Sequence, residues 1–235
     1  MGSEFVEFNT LAWVQVKMKS EEIFRDTKNW YKCRSNYVSE NLIDFAVEHA
    51  GDTILDAGCA TCEYIQRLST LGYHCIGVDL NSEYIDMAKQ KGLDAYVMDA
   101  KHLEFPDKSF DTLILFEVLE HVDKPEDVLK EVRRVARKNV LITVPNCTQF
   151  NRLRKVGLTY DHMLEKDHVN FFSKYDLERL LSQQFPEYLV SEREPIFLGN
   201  IGLPRLIRYP ISLLYKLRMI PPDFYYRLYA VAKVS

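Results

Sequence analysis

The stretch "ILDAGCATCEY", residues 54–64, decides how this chain is read. Apolar residues run into Asp56, a small-residue turn follows, and Glu63-Tyr64 opens a helical pattern. That is the outline of a strand, a ligand loop and a helix start. Loops of this kind usually carry several glycines, because glycine accepts positive φ and lets a ligand approach the backbone. Here there is only Gly58, with cysteines at 59 and 62. Three readings follow: a cofactor loop, a cysteine site, or a loop that has lost its ligand.

Outward from this stretch, strands and helices alternate. Residues 53–57, 74–79, 95–99, 111–117 and 139–145 are short apolar runs of strand length. Residues 62–70, 82–90 and 125–137 read as helices, the second with Ser82 as N-cap, the third opening on a proline and two acids. The runs at 111–117 and 139–145 are continuously apolar, as in parallel strands covered on both faces. The alternation predicts a doubly wound α/β fold. Upstream, residues 6–50 read as helical, with apolar positions such as Tyr31, Val38, Leu42 and Phe45. Downstream, 173–183 reads as a helix capped by Ser173, and 225–235 as a terminal strand.

The totals narrow the function. A net charge of −4 gives no overall field for nucleic acid, so that partner is not expected. Five cysteines, an odd and scattered set, do not suggest a disulfide framework. They read as reduced thiols in a cytoplasmic protein. No apolar run approaches the ~18 residues that would span a bilayer. Met1-Gly2-Ser3-Glu4-Phe5 reads as a cloning scar and is left out of the fold reasoning.

In open α/β sheets ligands sit at the carboxyl ends of the strands. Acids occupy three successive strand ends here: Asp56, Asp79 and Asp99. One such acid is as easily a turn residue, but three favour a nucleoside-type ligand. An acid ending the second strand suits two ribose hydroxyls. The G-x-G-x-x-G fingerprint of dinucleotide sites is not present, so a cofactor without a pyrophosphate fits better.

With these stretches "GVDLNSEYIDMAK" (77–89), "DAKHLEFPDKSFDTLILFEVLEHVDKPEDVLKEVRRV" (99–135) and "VLITVPN" (140–146), the chain resembles the class I S-adenosylmethionine-dependent methyltransferases. The resemblance is to the small-molecule type that includes the ubiquinone-biosynthesis O-methyltransferases, over roughly residues 35–183. It implies a Rossmann-like, seven-stranded, mostly parallel sheet. Residues 1–50 would form an N-terminal helical region packed on the core, and 51–235 the methyltransferase domain. It implies S-adenosylmethionine as cofactor and S-adenosylhomocysteine as product. Asp56, Gly58 and Cys59 would lie in the loop at the methionine portion. Asp79 would hold the ribose hydroxyls, with Leu80 beside the adenine. Asp99 would accept from the adenine amino group, beside Ala100 and Lys101. Phe116 and Glu117 would flank the methionine end. The expected acceptor is a small molecule, through a hydroxyl oxygen. The alternatives are a non-catalytic binding module with a degenerate loop and a macromolecular methyltransferase.

The family's pattern has glycines where this chain has Ala60 and Cys62. Alanine is a small change if φ is negative there. Cys62 is expected to narrow the space near the cofactor carboxylate. Cys59 and Cys62 form a C-x-x-C at a helix start, where thiol pKa falls, but no second pair completes a zinc site.

Two histidines, His168 and His121, are the candidate catalytic bases. Glu117, Glu120 and His121 are spaced to share a face if their turn is helical. The resemblance adds a divalent metal on that set, although the reading without a metal is preferred. Residues 196–222, apolar and basic, read as a lid inserted before the last strand. Such a lid suits an apolar or anionic acceptor, a peripheral membrane contact, or a dimer surface. Monomer and homodimer both remain open.

Overall fold

The computed structural model describes residues 38–148, 168–196, 205–217, 219–222 and 224–234. Their elements run in the order α1 (Glu40–His49), β1 (Thr53–Ala57), α2 (Glu63–Thr70), β2 (His74–Asp79), α3 (Ser82–Gln90) and β3 (Ala95–Val97). Then come β4 (Phe110–Phe116), a 3-10 turn (Leu119–His121), α4 (Pro125–Val135) and β5 (Ala136–Pro145). Last are α5 (Lys174–Ser182), β6 (Glu187–Ile196), α6 (Arg205–Lys216) and β7 (Phe224–Lys233).

The strands form one seven-stranded sheet in the order β3-β2-β1-β4-β5-β7-β6. β1 to β5 pair in parallel, and β7 runs antiparallel between β5 and β6. The chain order reverses between β1 and β4, which places a switch point there. β4 is buried along its whole length, which is why its sequence does not alternate. Ile114 and Phe116 face a cluster with Leu42, Phe45 and Ala46 of α1. Leu113 and Leu115 face the opposite cluster, with Val128, Leu129 and Val132 of α4 and Leu177 and Leu181 of α5.

The polar residues between β3 and β4 have structural work. Arg134 of α4 donates to the carbonyls of Leu103 and Phe105, each at 2.9 Å, and to Asp107 at 2.7 Å. Glu131 accepts from the Leu103 N–H at 2.8 Å. The connection "LEFPD" is thus clamped to the helix that follows.

Several expectations change. Asn81, not Ser82, caps α3, its Oδ1 accepting from the N–H of Glu83 and Tyr84. β3 stops at Val97, so Asp99 lies beyond the strand. β4 stops at Phe116, leaving Glu117 in a turn with φ +56°. The position of β6 was not anticipated. Its "EYLVSEREPI" is charged and holds Pro195, a composition that blunts sheet edges, and β6 is one of the two edge strands in the sheet's order. Ser173 does cap α5, in a reciprocal capping box with Asp176. Of the expected N-terminal helical region, α1 is described and residues 1–37 lie outside the described residues. So do 149–167, including His162, and 197–204 of the expected lid.

Candidate functional site

A cavity of about 500 Å³ opens at the carboxyl ends of β1 to β4. It gathers Gly58 after β1, Asp79 and Leu80 at the end of β2, Asp99 and Ala100 after β3, and Glu117 after β4. Its wall also holds Val118 and His121. Asp56, Cys59 and Phe116, expected at the same site, are not among its lining residues.

The loop that decides the reading is held in an unusual shape. Gly58 has φ +95°, and a Cβ there would meet Val118 Cγ2 at 2.6 Å. No other residue fits that position without displacing the cavity wall. Ala60 and Cys62 also have positive φ, +46° and +64°. The expectation of negative φ at Ala60 is therefore corrected. Both residues occupy left-handed backbone that favours glycine, at a strain of roughly 1–2 kcal/mol each. The loop is pinned from several sides. The N–H groups of Gly58 and Cys59 both donate to Val78 O, at 2.8 and 3.1 Å. Lys91 Nζ donates to Thr61 O at 3.2 Å and to Glu63 at 3.1 Å.

The cysteines belong to the core. Cys59 and Cys62 are 5% and 0% exposed and pack with Ile65, Ile85, Ala88 and Ala95. A Cβ on Gly77 of β2 would meet their sulfurs at 2.8 and 2.6 Å. The two side chains fill the space that Gly77 leaves. A hydrogen bond from the Cys62 thiol at 3.1 Å, and then burial, push the Cys59 pKa well above the usual thiol range. This is the reverse of a reactive C-x-x-C. It also corrects two expectations: the Cys59 side chain points away from the cavity, and Cys62 does not narrow it.

Asp79 is oriented by the backbone. Its Oδ2 accepts from the Ala60 N–H at 2.9 Å and its Oδ1 from the Asn81 N–H at 2.8 Å. An ionised carboxylate has about four lone-pair directions, so two remain for a ligand. Asp99 Oδ1 accepts from the Lys101 N–H at 2.9 Å. Leu80 is 68% exposed beside these acids and offers a flat apolar contact. Asp56, buried in β1, has its pKa raised to about 7, first by burial, then by the charges of Asp79 and Glu63.

Glu117 leads to a group that the sequence did not mark. Arg227 of β7 places Nε 3.2 Å from Glu117 Oε1 and Nη1 2.5 Å from Glu194 Oε2. The first contact lacks hydrogen-bond alignment and is a charge pairing. Tyr229 donates its hydroxyl to Glu194 Oε1 at 2.6 Å. Burial raises the Glu117 pKa, against the opposing pull of Arg227. Glu194, like Glu117, has positive φ, at +61°. Arg227 thus ties two strained acids together. Nothing local in "YYRLYAV" signals this, since its partners lie 33 and 110 positions away. The expected set Glu117–Glu120–His121 is not brought together as a ligand group. Glu120 and His121 group instead with His168, whose ring meets that of His121 edge-on at 4.6 Å.

Residues 55–144 match the family model described as a methyltransferase domain. The chain is 26% identical over 170 residues to a malonyl-[acyl-carrier protein] O-methyltransferase of Yersinia pestis, covering 71% of this chain and 63% of that protein. It is 26% identical over 203 residues to a phosphatidylethanolamine N-methyltransferase of Cereibacter sphaeroides, covering 78% of this chain and 96% of that one. A solved structure of a SAM-dependent methyltransferase from Archaeoglobus fulgidus superposes with a TM-score of 0.62 at 20% identity. That superposition covers 92% of this chain and 99% of the other. The matched segment carries the cavity's residues from Gly58 to His121, and S-adenosylmethionine is the cofactor of the family it identifies. Residues 55–144 are a methyltransferase domain, and the sheet built around them has the fold of the class I S-adenosylmethionine-dependent methyltransferases.

Proposed function

We propose that the chain transfers a methyl group from S-adenosylmethionine to a small-molecule acceptor, through oxygen. The observation that carries the reading is the cavity at the switch point, which combines Gly58, Asp79, Asp99 and Glu117. The residues fit the cofactor. Asp79, fixed by two backbone donors, accepts from both ribose hydroxyls with its remaining lone pairs. Leu80 covers one face of the adenine, and Asp99 accepts from the adenine amino group. Gly58, without a Cβ, leaves room for the amino acid portion beside Val118. Asp56 lies under the loop, and Phe116 supports Glu117 from within the core without touching the ligand.

When bound, the cofactor supplies a methyl already activated by a positive sulfur. The chain's part is therefore mainly alignment. Glu117, held by Arg227, faces the cavity at the end of β4 and presents negative charge there. A hydroxyl acceptor also gives up a proton. His121, in the cavity wall, and His168 against it are the candidate bases. We assign the segment 196–222, as far as it is described, as a lid for the acceptor. In that segment α6 exposes Tyr209 and Leu213. No helix among the described residues is long and apolar enough to cross a membrane.

A second reading, transfer to an amine nitrogen, is favoured by the match to 96% of the phosphatidylethanolamine N-methyltransferase. The test has two stages. Calorimetric titration with S-adenosylhomocysteine should give saturable binding at one site. Transfer of labelled methyl should then be measured with panels of hydroxyl and amine acceptors. Well-folded protein that binds no S-adenosylhomocysteine would return the chain to the non-catalytic alternative.

A further inference from the structure

The pairing of Arg227 with two acids leaves a charge unbalanced beside the cavity. Arg227 Nη1 lies 2.5 Å from Glu194 Oε2, and Tyr229 donates its hydroxyl to Glu194 Oε1 at 2.6 Å. Both oxygens of Glu194 are therefore engaged. Its backbone is bent to allow this. Arg193, the residue before it, sets its guanidinium over the rings of Phe45 and Tyr229, on the α1 face of the sheet. Strand alternation would send Glu194 to the opposite face. With φ +61° it turns back and meets Arg227 and Tyr229 instead. Strained backbone of this kind persists where the surroundings enforce it, and it concentrates at functional sites. Glu117, at φ +56°, is a second such residue on the same guanidinium.

The two acids are not held alike. Arg227 Nη1 hydrogen-bonds Glu194, whereas its Nε lies 3.2 Å from Glu117 Oε1 without alignment. Glu194 takes the strong charge-assisted bond and offsets the charge of the arginine. Glu117, which lines the cavity, keeps its own. Two carboxylates against one guanidinium leave one negative charge. Arg193, a cation close by, is engaged by Glu48 at 3.5 Å and by the two rings.

We propose that Glu194 is a positioning residue for the cofactor. By fixing Arg227 and offsetting its charge, it leaves Glu117 negative at the cavity. That shifts binding toward the positive sulfonium of S-adenosylmethionine and away from the neutral thioether of S-adenosylhomocysteine. The inference rests on the cofactor reading above. The two molecules differ only in the transferred methyl and the charge on sulfur. Contacts to ribose, adenine and the amino acid portion therefore cancel when their affinities are compared. The device favours entry of the substrate form and release of the product form.

The test is calorimetric titration of the full chain with each form, read as the ratio of the two dissociation constants. Glu194→Gln keeps an oxygen for Tyr229 and removes the charge, so Arg227 then cancels Glu117. The preference for S-adenosylmethionine should fall about three- to tenfold relative to the parent. Glu117→Gln should lower it at least as far. Tyr229→Phe loosens the same network without changing a charge and should keep the parent's ratio. Combining Glu194→Gln with Arg227→Gln removes the cation as well and should return the ratio toward the parent's. Melting of each ligand-free variant reports on the fold separately. An unmoved ratio in Glu194→Gln chain that melts cooperatively would overturn the inference. So would a ratio lowered as far in Tyr229→Phe, the mark of a merely structural role. If Glu194→Gln does not fold, an unmoved ratio in Glu117→Gln, or a ratio still lowered in the double variant, overturns it as well. A parent that binds neither form would sink the proposed function and this inference with it, whereas binding with an unmoved ratio sinks this inference alone.

Discussion

Replacing Ala60 by glycine should stabilise this protein, against the usual rule for glycine. The reason is local. Ala60 has φ +46°, where a Cβ crowds the following carbonyl oxygen at roughly 1–2 kcal/mol. Glycine removes that strain but enlarges the conformational freedom of the unfolded chain, a penalty of about 0.4–1 kcal/mol. The balance is a gain of about 0.5–1 kcal/mol. For a chain of this size that raises Tm by roughly 1–4 °C. The Ala60 methyl belongs to none of the buried clusters, so little packing is lost. The N–H to Asp79 survives, since it is backbone. Cys62→Gly is the informative contrast. It relieves a similar strain at φ +64° but empties a fully buried site over Gly77. Losing the methylene and sulfur amounts to about 1.5 kcal/mol or more. Cys62→Gly should therefore melt at or below the parent. Scanning calorimetry of the ligand-free proteins is the assay. A lower Tm for Ala60→Gly, or a Tm for Cys62→Gly raised as far as that of Ala60→Gly, would refute the assignment of strain and packing in this loop.

Asp79→Asn should weaken S-adenosylhomocysteine binding about 10- to 100-fold, the range for losing charge-assisted hydrogen bonds. Titration calorimetry reads this directly, and unchanged affinity would remove Asp79 from the ribose. Asp56 sets a pH dependence. Its folded pKa of about 7 stands above its ordinary 3.8, so the folded state holds the proton more tightly. The stability it contributes is complete below about pH 3.8 and is lost as pH rises through about 7. Asp56→Asn should remove that loss. The variant should gain on the parent by more than about 1 kcal/mol between pH 5 and 8 in ligand-free protein. Denaturant unfolding at several pH values checks it, and parallel curves would count against the raised pKa. Arg227→Gln leaves Glu117 and Glu194 facing each other without their cation. A loss of about 2–3 kcal/mol is expected, less than for a fully buried pair because the acids are partly exposed. Adding Glu194→Gln should restore part of it, and an additive further loss would argue against a linked trio.

The fold was legible because its signals are local and repeated. β4 and β5 announce burial on both faces by an unbroken apolar run, and α4 announces its start by Pro125-Glu126-Asp127. β6 escaped because an edge strand is selected to look unlike a strand. Its Glu187, Arg193 and Pro195 discourage further pairing, and the same residues hide it from a search for apolar runs. The cap of α3 was misplaced by one residue because Asn81 and Ser82 are both good caps. Which one serves depends on where Asp79 turns the chain, by accepting from the Asn81 N–H.

The site divides along the same line. Gly58, Asp79 and Asp99, which line the cavity, could be placed because each lies at or just past the end of a strand that was already visible. What side chains do beyond that depends on partners far away. Cys59, expected in the cofactor loop, and Cys62, expected to narrow the space near the carboxylate, are packing, because their neighbour is Gly77, a residue whose missing side chain leaves no signal of its own. Glu117, expected at the methionine end of the cofactor, lines the cavity and is also an ion-pair partner, because Arg227 arrives from the last strand. His168 looked like an isolated base and stands against His121, because Asn170 clasps the turn after β4. Spacing assigns a residue to a strand end, but charge is settled by what the sheet brings alongside. In this chain β7, inserted antiparallel between β5 and β6, carries the arginine that pairs with Glu117 at the cavity.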